Sequence, residues 1–314
     1  MKSSTSVEEQ VPLLQERGMR IDDLHVAQRW LDAVGYYRLS GYSYVYRSSA
    51  GDAFRPGTSF DDVIGLYEAD RKLRTLVHDG MERFEVGLRA AVSRIIADRW
   101  GPSGHEEAEN FRPTFDHGAW SAVVRRRVDR ARRHTPFVQH HDEHDAGRMP
   151  IWAVVEVLDF SDVSRLVEGM RAAEQWEVAE HLGWRLQLSS LSRNQQAKAK
   201  RNHPVARWCE QLVIVRNTAA HHGRLWNRSF VPAPTAAMAT TRGLGLLPAD
   251  QSERLGGALL VLASSLGTPS PGSSWPGRVC DLVRNEFAPV RVSPADELGL
   301  PAGWDEPGSA LFRG

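Results

Sequence analysis

The sequence predicts an all-α protein, a multi-helix bundle with an N-terminal helical extension and a loosely ordered C-terminal tail. Three observations carry this. Val63, Tyr67, Leu73, Leu76, Val77, Phe84, Leu88, Val92, Ile95 and Ile96 recur at three- and four-residue intervals, the spacing of a helix face. Capping residues and glycine stops flank the apolar stretches. Alternating apolar–polar runs, the mark of half-buried strands, are scarce.

Residues 1–6 are polar and are expected to be disordered. Val11, Leu13, Leu14, Met19 and Ile21 open the apolar pattern. Asp22 or Asp23 can cap a helix carrying Leu24, Ala27, Trp30, Leu31 and Val34, with Gly35 as its stop. Residues 35–46 then hold Tyr36, Tyr37, Tyr42, Tyr44 and Tyr46. Such rings stack on unpaired bases, or bury themselves and satisfy their hydroxyls within the fold. The tight run and its two glycines favour packing.

Residues 54–58 read as a turn, after which Thr58 or Ser59 caps a long helix from Phe60 to about Trp100. Asp70, Arg71, Arg74, Glu82, Arg83, Glu85 and Arg89 alternate in sign on its other faces. Glu85 and Arg89 are four apart, which favours an ion pair. Such charges either form a solvated face or support a site.

Residues 101–117 read as a loop. A helix from about Ala119 carries Arg125, Arg126, Arg127, Arg130, Arg132 and Arg133 on all sides, a pattern of solvation first and of RNA contact second. His140, His141, Asp142, Glu143, His144 and Asp145 are ligand types without a strong metal spacing, in a stretch that Gly147 and Pro150 mark as a loop. Pro150 starts a helix through Leu158. Glu156 sits in its apolar run, so a partner is expected for it, an Arg of the 213–228 stretch. A further helix lies near 175–182, and 189–203 is polar and basic. A helix from Pro204 to about His222 buries Val205, Trp208, Leu212 and Val215 and is left through Gly223. Residues 258–262 make a core helix, 267–277 a Pro/Gly/Ser linker and 278–287 a short last helix.

Composition narrows the function. No leading apolar run suggests a signal peptide, and 255–266, with two Gly and two Ser, is too short to span a membrane. Cys209 and Cys280 make neither a disulfide framework nor a zinc site. A cytoplasmic protein is expected. Net charge is zero, against a generic nucleic-acid binder. The distribution is uneven, however. Between Arg193 and Arg228 stand eight Lys or Arg and one acid, Glu210, whereas acids dominate 285–307. A positive field thus surrounds one stretch, 213–228, where an apolar run turns into Arg216, Asn217, His221, His222, Arg224 and Arg228.

These side chains suit phosphate chemistry. At about 100° per residue, Asn217 and His221 share a helix face, and Arg216 can reach back toward it. Imidazole exchanges protons near neutrality, and guanidinium stabilises charge on a transferring phosphate. RNA supplies its own nucleophile, the 2′-hydroxyl, so no metal or cofactor is required. The pair alone is weakly specific, since Arg and His at this spacing occur by chance.

The run Arg216-Asn217-Thr218-Ala219-Ala220-His221-His222-Gly223-Arg224-Leu225-Trp226-Asn227-Arg228 closely resembles the RNxxAHHxRLWNR signature of the Abi-like proteins, the AbiD/AbiF abortive-infection family of bacterial phage defence. Blocks at 14–23, 35–42, 54–60, 66–74 and 149–156 resemble the family too. That family is assigned to the HEPN superfamily of helical ribonucleases with an R-x(4–6)-H motif. The resemblance implies a HEPN-type helical domain at 54–266, after an N-terminal helical region at 1–53 and before a linker, short helix and tail at 267–314. It implies Arg216 and His221 as the catalytic pair, Asn217 orienting one of them, and His222, Arg224, Arg228, Glu156, Tyr37 and Arg38 as supporting or RNA-binding residues. It also implies a homodimer, because such sites form where two motifs meet and this chain has one complete copy. The expected function is endoribonuclease action on RNA in phage defence. The alternatives are a non-catalytic RNA-binding protein acting with a small structured non-coding RNA, or a structural partner of another defence protein.

Overall fold

A computed structural model describes residues 5–49, 51–144 and 147–312. The chain is predominantly helical. The N-terminal helices are α1 (Val7–Glu16), α2 (Leu24–Val34) and α3 (Tyr36–Ser43). The long α4 (Phe60–Trp100) follows, then α5 (His117–Ala131), α6 (Pro136–His144), α7 (Ile151–Val157), α8 (Phe160–Gly169), α9 (Ala172–His181), α10 (Arg193–Arg201) and α11 (Val205–Ala220). After α11 come the strands β1 (Ser229–Pro234) and β2 (Gln251–Arg254), then α12 (Leu255–Ser265), α13 (Trp275–Glu286) and the short α14 (Pro294–Leu298).

Local chemistry explains the helix ends that position the site. The Asp23 side chain accepts the Val26 N–H at 3.0 Å, and Gly35, at φ +90°, stops α2. Ser59 caps α4 in a reciprocal box: the Ser59 N–H donates to Asp62 at 2.8 Å and the Ser59 hydroxyl accepts the Asp62 N–H at 3.2 Å. Between these ends α4 runs about 60 Å at 1.5 Å per residue. Leu66, Leu73, Val77, Phe84, Leu88, Val92 and Ile96 along it are fully buried. Helices α3, α7, α8, α9, α11, α12 and α13 all pack against it, so α4 is the axis of the core.

Two expectations need correction. The tail is not loose: Leu298, Leu300, Trp304 and Leu311 are buried, and Trp275 of α13 donates its indole N–H to the Leu76 carbonyl of α4 at 2.6 Å. Its Pro- and Gly-rich turns bring widely spaced apolar residues onto α4 and α12. Second, His140, Asp142 and His144 lie in α6 rather than a loop. There Asp142 pairs with Arg132, and the rings of His140 and His144 stack at 4.4 Å. Asp145 and residues 1–4 lie outside the described residues. Among the described residues, no three His, Cys, Asp or Glu side chains gather in a way that could hold a metal ion.

The two strands pair antiparallel, Ala233 opposite Ser252 and Pro234 opposite Gln251, with an irregularity toward Ser229 and Arg254. Gln211, fully buried on α11, donates to the Val231 carbonyl at 2.7 Å and the Ser252 carbonyl at 2.8 Å, locking the ribbon to the helix that carries the motif. Cys209 and Cys280 are free and buried. Among the described residues no helix is long and apolar enough to cross a membrane.

Candidate functional site

The basic motif occupies the last turn of α11 and the loop after it. Helix α11 ends in a Schellman turn: the His222 N–H donates to the Ala219 carbonyl at 3.0 Å and the Gly223 N–H to the Thr218 carbonyl at 2.7 Å. His222 holds the left-handed position, φ +56°, which a glycine would take more easily. Gly223 is needed for a different reason. A Cβ there would lie 2.9 Å from Thr218 Cγ2 and 3.0 Å from the Thr218 carbonyl. The reversal at His222 leaves His221 and His222 exposed at the helix end.

Arg216 sits one and a half turns earlier. Its Nη1 donates to Asn217 Oδ1 at 3.0 Å, and its Nη2 lies 3.9 Å from Glu85 Oε2. Glu85 also accepts from Arg89, whose guanidinium donates to the Val155 and Leu158 carbonyls at the end of α7, the latter at 2.9 Å. Glu85 and Arg89 are therefore not a solvated face: they couple the motif arginine to α4 and α7. Together Arg216, Glu85, Arg89, His78, Met81, Glu82 and Val86 line a cleft of about 230 Å³. His221 does not line it.

The loop beyond the motif is braced from two sides. Arg38 of α3 donates to the His222 carbonyl at 2.7 Å, and Arg224 donates back to the Gly41 carbonyl of α3. Both arginines thus hold backbone. On the other side Asp70 of α4, fully buried, accepts the Trp226 N–H at 2.9 Å, the Leu225 N–H at 3.3 Å, the Tyr42 hydroxyl at 2.7 Å and an Arg74 N–H. Burial raises the Asp70 carboxyl, opposed by Arg74 and by these donors. The same burial, with the Asp70 charge, pushes the Tyr42 hydroxyl above its ordinary value. Trp226 is buried and stacks on Phe287, just past α13, with ring centres 4.8 Å apart. Asn227 accepts from Arg254 at 3.0 Å, and Arg228 lies exposed with its guanidinium 5.8 Å from the Phe230 ring centre.

The tyrosine run splits. Tyr42 and Tyr46 are buried, as packing requires, whereas Tyr37 is 92 % exposed beside Arg38. Glu156 departs from the sequence reading. It is exposed on α7, with no ion-pair partner among the described residues. Ile151, Ala153, Val154 and Val155 face the core, so Trp152 and Glu156, four apart, fall on the outer side. The acid near Arg216 is Glu85 instead.

Asp70 and Arg74 were missed as site supports. Their signal was a charged pair four apart between the core residues Leu66, Leu73 and Val77, a place where a charge must find a buried partner.

A family model described as Abi-like protein matches residues 29–227. No curated protein and no solved structure matches the chain. The matched span runs from α2 through the Asp70-bound Trp226 and covers more than half of the sequence, so the chain belongs to the Abi-like protein family.

Proposed function

We propose that this Abi-like protein is a HEPN-type endoribonuclease of abortive infection, acting on RNA without a metal cofactor, as a cytoplasmic homodimer. The observation that carries the reading is the end of α11: Arg216 is steered by Asn217 and Glu85, and His221 stands exposed five residues later on a rigid turn. One chain presents a single His221, outside the Arg216 cleft. Two copies meeting at the ends of α11 would bring two imidazoles and two guanidiniums to one phosphodiester.

In that arrangement His221 takes the proton of the RNA 2′-hydroxyl as the 2′-oxygen bonds to phosphorus. The partner's His221 gives a proton to the departing 5′-oxygen as the P–O5′ bond breaks. The arginines stabilise the charge that builds on the non-bridging oxygens. The products are a 2′,3′-cyclic phosphate and a 5′-hydroxyl. Arg38 and Arg224 keep the turn in place, and Tyr37 offers an exposed ring to an unpaired base.

The test is incubation of the purified protein with total RNA in EDTA, beside Arg216→Ala and His221→Ala. Cleavage to cyclic-phosphate ends by wild type, lost in both folded variants, supports the reading. EDTA-sensitive cleavage overturns the mechanism. RNA bound tightly by all three proteins and never cut overturns catalysis in favour of an RNA-binding role beside a structured RNA.

A further inference from the structure

A second cleft, of about 890 Å³, is larger than the Arg216 cleft. It lies where α4 meets the ends of α9 and α12 and the segment after β1. Arg94 belongs to it and follows Glu85 by nine positions on α4. At about 100° per residue that places Arg94 on the opposite side of the helix from Arg216. The two clefts are separate.

Three guanidiniums border this cleft: Arg94, Arg185 and Arg242. Arg185 has a loose pair with exposed Glu180 at 3.7 Å. Arg242 has no ion-pair or hydrogen-bond partner among the described residues and is exposed. Arg94 touches His181, its Nη2 lying 3.2 Å from His181 Nδ1. A guanidinium can only donate, so Nδ1 accepts, and the neutral ring carries its proton on Nε2. Burial, together with the nearby Arg94 charge, lowers the His181 imidazole. Thr241, which is buried, also borders the cleft. Ile95 and Leu186 add apolar wall.

We infer that this cleft binds a small phosphate ester of nucleotide size. Its volume falls in the range of roughly 300–1,000 Å³ typical of small-ligand sites. Arg94 and Arg242 offer the fork geometry that grips phosphate. Glu177 and Glu180 also line the cleft, which disfavours the continuous phosphate backbone of a strand and favours one compact anion.

The experiment is calorimetric titration of the full chain with inorganic phosphate, with adenosine 5′-monophosphate and with a short single-stranded RNA. The expected result is saturable one-site binding of the mononucleotide, tighter than phosphate alone. Arg94→Ala and Arg242→Ala should each weaken it about tenfold or more. Arg216→Ala should leave it unchanged. Absence of saturable mononucleotide binding overturns the inference. So does binding confined to the RNA strand, or binding lost in Arg216→Ala and kept in Arg94→Ala and Arg242→Ala.

Discussion

The Asp70 carboxylate accepts the backbone N–H of Trp226 at 2.9 Å, so the first third of the central helix holds the loop that leaves the basic motif. The same carboxylate is paired with Arg74, and both side chains are buried. Asp70→Asn leaves the Arg74 charge buried without a counter-charge. Chemical denaturation should show a loss of about 3–5 kcal/mol, the usual cost of removing one partner of a buried pair. A loss below about 1 kcal/mol would mean that Arg74 is compensated in another way.

Glu85 stands between Arg89 and Arg216. Glu85→Gln keeps its shape and removes its charge. If Arg216 acts on RNA, cleavage should fall by about tenfold, with the unfolding midpoint moved much less than in Arg89→Ala. Arg89→Ala should lower stability, since two α7 carbonyls then lose their donor. Single-turnover cleavage and thermal melts of the two variants separate these effects.

Phe287 ties the C-terminal region to the motif by stacking on Trp226. Both rings are fully buried. Phe287→Ala should cost about 3–5 kcal/mol through the cavity it opens. Urea unfolding measures this. A near-neutral result would show that the C-terminal helices do not support the motif loop.

Tyr37 is largely solvent-exposed, so Tyr37→Ala should change stability by no more than about 0.5 kcal/mol. If the ring stacks on a base, the affinity for single-stranded RNA should fall by about 1–3 kcal/mol, readable by fluorescence anisotropy. Unchanged affinity removes Tyr37 from the RNA surface.

Two buried histidines set a pH dependence. Burial lowers His203 to about 3 and His105 to about 4, from an ordinary value of 6.5. His203 Nδ1 accepts the Val205 N–H at 3.0 Å, so protonation there breaks a bond. Below pH 6.5 the unfolded chain binds protons that the folded chain does not, so stability should fall as pH drops from 6.5 toward 4. Each histidine contributes a slope of up to about 1.4 kcal/mol per pH unit. Denaturant titrations at a series of pH values check this. His203→Asn, which keeps an acceptor for the Val205 N–H, should flatten the slope; an equal slope would assign the effect to other groups.

Much of the helix pattern was legible because its causes are local. Asp23, Ser59 and Gly35 act within a few residues of themselves, and the three- and four-residue spacing from Val63 to Ile96 is written along one segment. Helix α8, between the helices expected at 150–158 and near 175–182, escaped notice, although Asp159 and Asp162 form a reciprocal cap at its start. The tail was misread because Pro and Gly report local breaks. The burial of Trp304 and Leu311 depends on helices far away in the chain.

The sequence by itself determined the helical class, the long central helix, the place of the basic motif at the end of α11 and membership of the Abi-like family. These follow from periodicity, capping chemistry and a contiguous run of residues. Tertiary structure alone decided the partners of the charges: Asp70 for the loop at Trp226, Glu85 rather than Glu156 beside Arg216, and Arg38 and Arg224 on backbone carbonyls. A buried charge takes whichever opposite group or dipole the packing brings within about 3–4 Å, and that neighbour is distant in sequence.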